Sequence, residues 1–107
     1  MKLVIAIVHN DDSSTVATGL TREGFQVTKL ATTGGFLLAG NTTFLIGVDE
    51  DRVDSVIDNI ARHSRRRSQT VSTSETYKGS NGKDIPVEVS VGGATVFVVD
   101  VERFEKL

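Results

Sequence analysis

Residues 42–61, TTFLIGVDEDRVDSVIDNIA, change their hydrophobic period half-way along, and that change decides the fold class. Over Thr42 to Val48 the apolar residues Phe44, Leu45, Ile46 and Val48 crowd together behind two β-branched threonines, the pattern of a strand. From Val53 onward the apolar side chains fall at i, i+3, i+4, i+7 and i+8, so that Val53, Val56, Ile57, Ile60 and Ala61 make one stripe along a helix. Asp49, Glu50 and Asp51 stand between the two, where carboxylates complement the positive end of a helix. The helix is expected to end near Arg65, Arg66 and Arg67, a run that either complements its C-terminal end or binds phosphate. A helix that is apolar on one side needs a sheet to lie on, and the strand before it is the first piece of that sheet.

The rest of the chain supplies the remaining pieces. Leu3 to Val8 is a continuous apolar run, predicted as a central strand buried on both faces. Asp11, Asp12, Ser13 and Ser14 offer N-caps for a helix carrying Val16, Ala17 and Leu20, with Gly24 placed to stop it. Phe25 to Leu30 reads as a second strand. Beyond the second helix, residues 68–84 form a long polar, glycine-bearing loop within which Thr70 to Ser72 could add a short strand. Ile85 to Val91 alternates cleanly, Gly92-Gly93 reads as a two-residue turn, and Ala94 to Val101 returns as the hairpin partner. The order is βαββαβ with an added C-terminal hairpin strand, an α+β, ferredoxin-like plan with both helices on one face of an antiparallel sheet. The other face needs cover, so the chain is expected to self-associate.

Composition narrows the function classes. A chain of 107 residues supports one domain, 1–107, with enough core to stand without staples. The net charge of −2 gives no general attraction to DNA or RNA, and three successive arginines are too few for a duplex footprint. Without cysteine there are no disulfides, thiolate metal sites or thiol nucleophiles. The apolar run near the N-terminus is too short for a signal peptide, and nothing approaches the roughly 20 apolar residues of a membrane span. A cytoplasmic protein with no membrane insertion is expected.

Catalytic signatures are sparse. His9 lies near Asp11 and Asp12, where a metal could be imagined, but a strand-end histidine followed by capping acids is the simpler reading. His63 sits among the basic residues of a helix end. No serine lies in a G-x-S-x-G turn. The chain is therefore read as non-enzymatic, with no cofactor and no metal. The exception to this blandness is the loop 31–43, ATTGGFLLAGNTT. Its glycines allow close approach of backbone N–H groups to an anion, its threonines and Asn41 offer short polar side chains, and Phe36 could stack on a base with Leu37 on the other side. Gly47, inside a strand, marks a place where a ligand or another backbone comes near. The spacing fits neither a Walker A loop nor a dinucleotide fingerprint. On chemistry alone the loop is either a ligand site or an interface-packing segment.

The segments KLATTGGFLLAGNTTFLIGVDEDRVD (29–54) and PVEVSVGGATVFVVDVERF (86–104) closely resemble the PII-like proteins of the cyclic di-AMP receptor type (PstA/DarA), and the likeness runs from MKLVIAIV to the C-terminus. The resemblance implies a homotrimer of ferredoxin-like subunits that senses a nucleotide in clefts between neighbours and signals to a downstream protein partner. It implies a short ligand-binding loop at 31–43 and a long loop at 68–84. Carried over residue by residue, it implies a pocket in which Thr28 hydrogen-bonds the ligand, Gly35, Phe36 and Leu37 line the adenine, Asn41 reads polar edges, Gly47 leaves room and Phe97 closes one side.

The departures concern charge. Members of this family typically carry an arginine where this chain has Gln26, and a neutral amide loses a charge-assisted phosphate contact of about 1.5–3 kcal/mol. Gly24 replaces a typical asparagine, and Lys106 stands where some members have glutamine. Lys106 or Arg22 is a candidate to restore the lost charge. The ligand implied is cyclic di-AMP; the alternatives are the same fold binding another adenine nucleotide, or a ligand-free protein-interaction module.

Overall fold

The computed structural model describes residues 1–30, 40–72 and 86–107. β1 (Lys2–His9) buries Val4, Ala6 and Val8 on one face, while Leu3, Ile5 and Ile7 on the other are half-buried. The expectation of a strand buried on both faces is thus corrected, because helices cover only one side of the sheet. α1 (Asn10–Arg22) follows with no intervening loop. His9 itself is the N-cap, its Nδ1 accepting the Asp11 backbone N–H at 3.1 Å, so Asp11 and Asp12 occupy the first turn rather than the cap.

α1 ends in a Schellman motif: the Gly24 N–H donates to the Thr21 carbonyl and the Phe25 N–H to that of Leu20, with Gly24 at φ +87°. Phe25 spends its N–H on the helix end and its ring in the core, which is why β2 (Val27–Lys29) is shorter than the predicted 25–30. β3 (Asn41–Val48) pairs antiparallel with both β1 and β2, which bears out the strand expected from Thr42 and adds Asn41, so the segment quoted as loop 31–43 is strand from Asn41 onward. A single 3-10 turn, Glu50–Arg52, carries the predicted acids into α2 (Val53–His63). Val56 and Ile60 of its stripe are fully buried.

The arginine run does not close α2. The helix stops at His63, the Ser64 hydroxyl donates back to the Ile60 carbonyl, and Arg67 opens a new strand. β4 (Arg67–Ser72) pairs antiparallel with β5 (Pro86–Val91), from Arg67 opposite Val91 to Ser72 opposite Pro86. β6 (Ala94–Asp100) pairs antiparallel with β1. Two expectations change here. The short strand allowed for at Thr70 to Ser72 is present but starts earlier, at Arg67, so that 68 and 69 also leave the long loop, and the hairpin partner of β5 is β4, not β6. Gly92 and Gly93, at φ +85° and +79°, turn the chain out of the ribbon and into the sheet, and the Gly93 N–H donates to the Ser64 carbonyl.

The main sheet has the order β2-β3-β1-β6 with α1 and α2 against one face, the ferredoxin-like arrangement with the β4–β5 ribbon inserted before the closing strand. The core of Val4, Ala6, Val8, Phe44, Ile46 and the helix residues lies wholly on that side. Gly19 lets the helices meet closely: the Asn59 amide donates to the Gly19 carbonyl at 3.0 Å, and His63 lies over the glycine. Among the described residues no helix is long and apolar enough to cross a membrane.

Candidate functional site

The strand registers define what stands on the helix-free face. One row across the sheet reads Thr28, Leu45, Ile5, Phe97. The next row toward the β1 N-terminus reads Gly47, Leu3, Val99, and one step beyond the last β2 pair places Gln26 beside Gly47. Toward the other end, Asn41 stands opposite His9. Phe97 is 53% exposed and Val99 43%, so the face presents apolar surface that the chain's own helices cannot reach.

Each end of this face is a concavity. Gln26 and Gly47 line a cleft of about 280 Å³ together with Met1, Phe25, Asp49 and Arg52. No atom of the chain lies within 4 Å of where a Gly47 side chain would begin, so the space it leaves faces outward. Asn41 and His9 line a second cleft of about 300 Å³ with Arg66, Gly93 and Thr95. Asn41 and Gly47 are separated by roughly 20 Å along β3 at about 3.4 Å per residue. Among the sequence-predicted site residues, Gln26, Thr28, Asn41, Gly47 and Phe97 therefore share one face, but at two ends and a middle rather than in one pocket. Gly35, Phe36 and Leu37 lie outside the described residues.

Two cations stand at these clefts, of which Arg52 escaped the sequence reading. Arg52 holds its guanidinium 4.3 Å from the centre of the Phe25 ring, and its Nη2 donates to the Glu23 carbonyl at 3.4 Å. It lines the same cleft as Gln26, and its only sequence signal was a position at the end of an acidic helix start. Arg66 belongs to the arginine run read either as helix-end charge or as a phosphate-binding group. Of that run, Arg67 is committed to Asp12, donating to both carboxylate oxygens at 3.0 and 3.3 Å, whereas Arg66 reaches the cleft beside His9 and Asn41. Among the described residues no cluster of His, Cys, Asp or Glu could hold a metal ion, and Asp12 faces Arg67.

The chain matches the cyclic-di-AMP receptor family over residues 1–107. It belongs to that family. This cyclic-di-AMP receptor family member is also similar to a solved structure, a functionally unknown protein from Pediococcus pentosaceus ATCC 25745, at 40% identity and a TM-score of 0.74, over 99% of this chain and 96% of the other. The family is one of binding and signalling proteins, and its ligand is a doubly charged dinucleotide, which makes the cations around the open face the groups to follow.

Of the two cations named to replace the missing arginine, Arg22 lies on α1 and lines a cleft of about 390 Å³ between the helices, with Glu23, Arg62 and His63. That cleft is on the opposite side of the sheet from Gln26. Lys106 is exposed beyond β6. Arg52 is the cation that stands with Gln26 in this chain. Two surface pairs set the remaining electrostatics. The Arg62 guanidinium, 2.8 Å from Glu23, holds that carboxyl below its usual range. The Lys2–Asp100 pair joins β1 to β6, lowering the Asp100 carboxyl and raising the Lys2 ammonium, each chiefly through the hydrogen bond between them.

Proposed function

We propose that the protein is a non-enzymatic signal-transduction subunit that binds cyclic di-AMP in clefts between the subunits of a homotrimer. The observation that carries this reading is the division of the site across one open sheet face. Gln26 and Gly47 stand at one end and Asn41 at the other, too far apart for one small molecule to span within a chain, with exposed apolar surface around Phe97 between them. A second copy laid against that face covers the apolar surface and brings one subunit's Gly47 end toward its neighbour's Asn41 end. Adenine then packs on apolar side chains while Thr28 and Asn41 take its polar edges.

Gln26 favours keeping a second reading, the same cleft binding another adenine nucleotide. With Arg52 beside it, the cleft retains a cation, but one already held over Phe25. Calorimetric titration with cyclic di-AMP, ATP and cyclic AMP separates the two. Micromolar binding of cyclic di-AMP at about one per subunit, with the other two silent, supports the first reading. Heat with ATP alone selects the second. Heat with none of them, from an intact trimer, removes both. Gln26→Arg should tighten cyclic di-AMP binding by about tenfold if one phosphate contact is missing, since such contacts contribute about 1.5–3 kcal/mol.

A further inference from the structure

The cleft at the Asn41 end also holds His9 and Arg66, to which the dinucleotide reading gives no role. In the register of β1 with β3 and β6, Asn41 stands opposite His9, and one step beyond the last β1–β6 pair places Gly93 on the far side of His9. Gly93 has no side chain, and the Arg66 side chain occupies the space above it, its Nε 3.6 Å from the point where a Cβ would stand. Asn41, His9 and Arg66 thus follow one another across the sheet over about 10 Å, at about 5 Å per strand.

The three groups are suited to one kind of partner. The His9 Nδ1 accepts the Asp11 N–H, so the neutral ring carries its proton on Nε2, a donor. Arg66 presents a guanidinium with no carboxylate partner among the described residues, while its neighbour Arg67 is paired with Asp12. The Asn41 amide adds two further N–H donors. The Asp11 carboxylate lies 3.5 Å from the other ring nitrogen, Nδ1, and does not line the cleft; the several donors and the permanent cation that do line it select a phosphate oxygen set over a cation or an apolar group.

We propose that Arg66, with the Nε2–H of His9 and the NH2 of Asn41, whose amide oxygen is left for the polar edge of the base, forms a phosphate subsite that anchors a phosphodiester of the bound nucleotide and supplies charge that Gln26 does not. This rests on the nucleotide-binding reading above. The scaffold is rigid: the Asn10 N–H donates to the Gly40 carbonyl at 2.8 Å and the Thr42 hydroxyl to the Asn10 side chain at 2.6 Å, fixing the strand ends that carry His9 and Asn41.

The test compares cyclic di-AMP affinity of the wild type with Arg66→Gln, Arg66→Lys and Arg65→Gln, whose side chain lies outside this cleft. Arg66→Gln is expected to weaken binding at least tenfold with the oligomer and thermal midpoint unchanged, Arg66→Lys to weaken it less, and Arg65→Gln to leave it unchanged. Equal affinity for Arg66→Gln and wild type overturns the subsite, as does an equal loss in Arg65→Gln, which would reduce the effect to general charge. If the wild type binds no cyclic di-AMP, it is the dinucleotide reading that has failed, and the subsite is read with inorganic pyrophosphate. Saturable shifts of the Arg66 Nε–H and Asn41 amide resonances on titration then support it, and unmoved resonances overturn it.

Discussion

A single missing methyl group at Gly19 sets how close the two helices come. A Cβ there would fall 2.6 Å from the His63 ring and 2.7 Å from the Asn59 Oδ1; Asn59 is fully buried and has no room to retreat, and the half-buried His63 ring can move only by giving up its 2.7 Å contact with the Asn59 carbonyl. Gly19→Ala should therefore destabilise the fold by about 1–3 kcal/mol despite alanine's better helix propensity, because overpacking a tight contact outweighs the roughly 1 kcal/mol of backbone gain. Urea unfolding measures it, and a variant as stable as wild type would mean the helices can part. Beside this contact, Glu23 makes a prediction about pH. Its carboxyl is held low by Arg62, so the folded state binds a proton less readily than the unfolded chain. The pair's contribution is present above about pH 4.3, the ordinary glutamate value, and is lost as pH falls through the lower folded value. Glu23→Gln should flatten the fall of the urea midpoint between about pH 5 and 3 relative to wild type; parallel curves would show that the pair is silent.

At the scale of elements, among the described residues one ion pair ties the β4–β5 ribbon to α1. Asp12, with its side chain 10% exposed in the first turn of α1, accepts two hydrogen bonds from Arg67, the first residue of β4. Arg67→Met would leave that carboxylate covered and unpaired, at a cost of about 3 kcal/mol, whereas Asp12→Asn with Arg67→Met should recover most of the loss because no charge is stranded. Thermal unfolding of the three variants decides it, and additive losses would argue against a stranded charge. The same pair explains where sequence reading fell short. Period and capping placed both helices and the strands of the main sheet, since Val56, Ile60, Val16 and Leu20 must face a core and Gly24 must end a helix. Nothing local told Gly92-Gly93 apart from a hairpin turn. That β5 turns back on β4 while β6 crosses to β1 depends on Asp12 meeting Arg67 and on Ser64 accepting the Gly93 N–H, contacts between residues distant in the chain.

For the whole molecule, what matters is the face the helices leave bare. The proposed site residues were named one by one from a resemblance, but their division between two ends of β3 was not legible, because it follows from register rather than from residue type. Cations were legible least, since a run of arginines shows nothing of which one is spent internally. If the open face is where subunits meet, its apolar side chains stabilise the assembly and not the subunit core. Val99 separates the two: it faces outward opposite Leu3, is 43% exposed, and is absent from both end clefts. Val99→Asp would bury a carboxylate in an interface with no described cation on its row, a penalty of several kcal/mol at every contact. Light scattering should therefore report a trimer for the wild type and monomers for Val99→Asp, with the far-ultraviolet circular dichroism unchanged because the core lies on the other side of the sheet. A Val99→Asp protein that stays trimeric would move the interface off this face, and with it the cleft between subunits on which cyclic di-AMP binding has been argued.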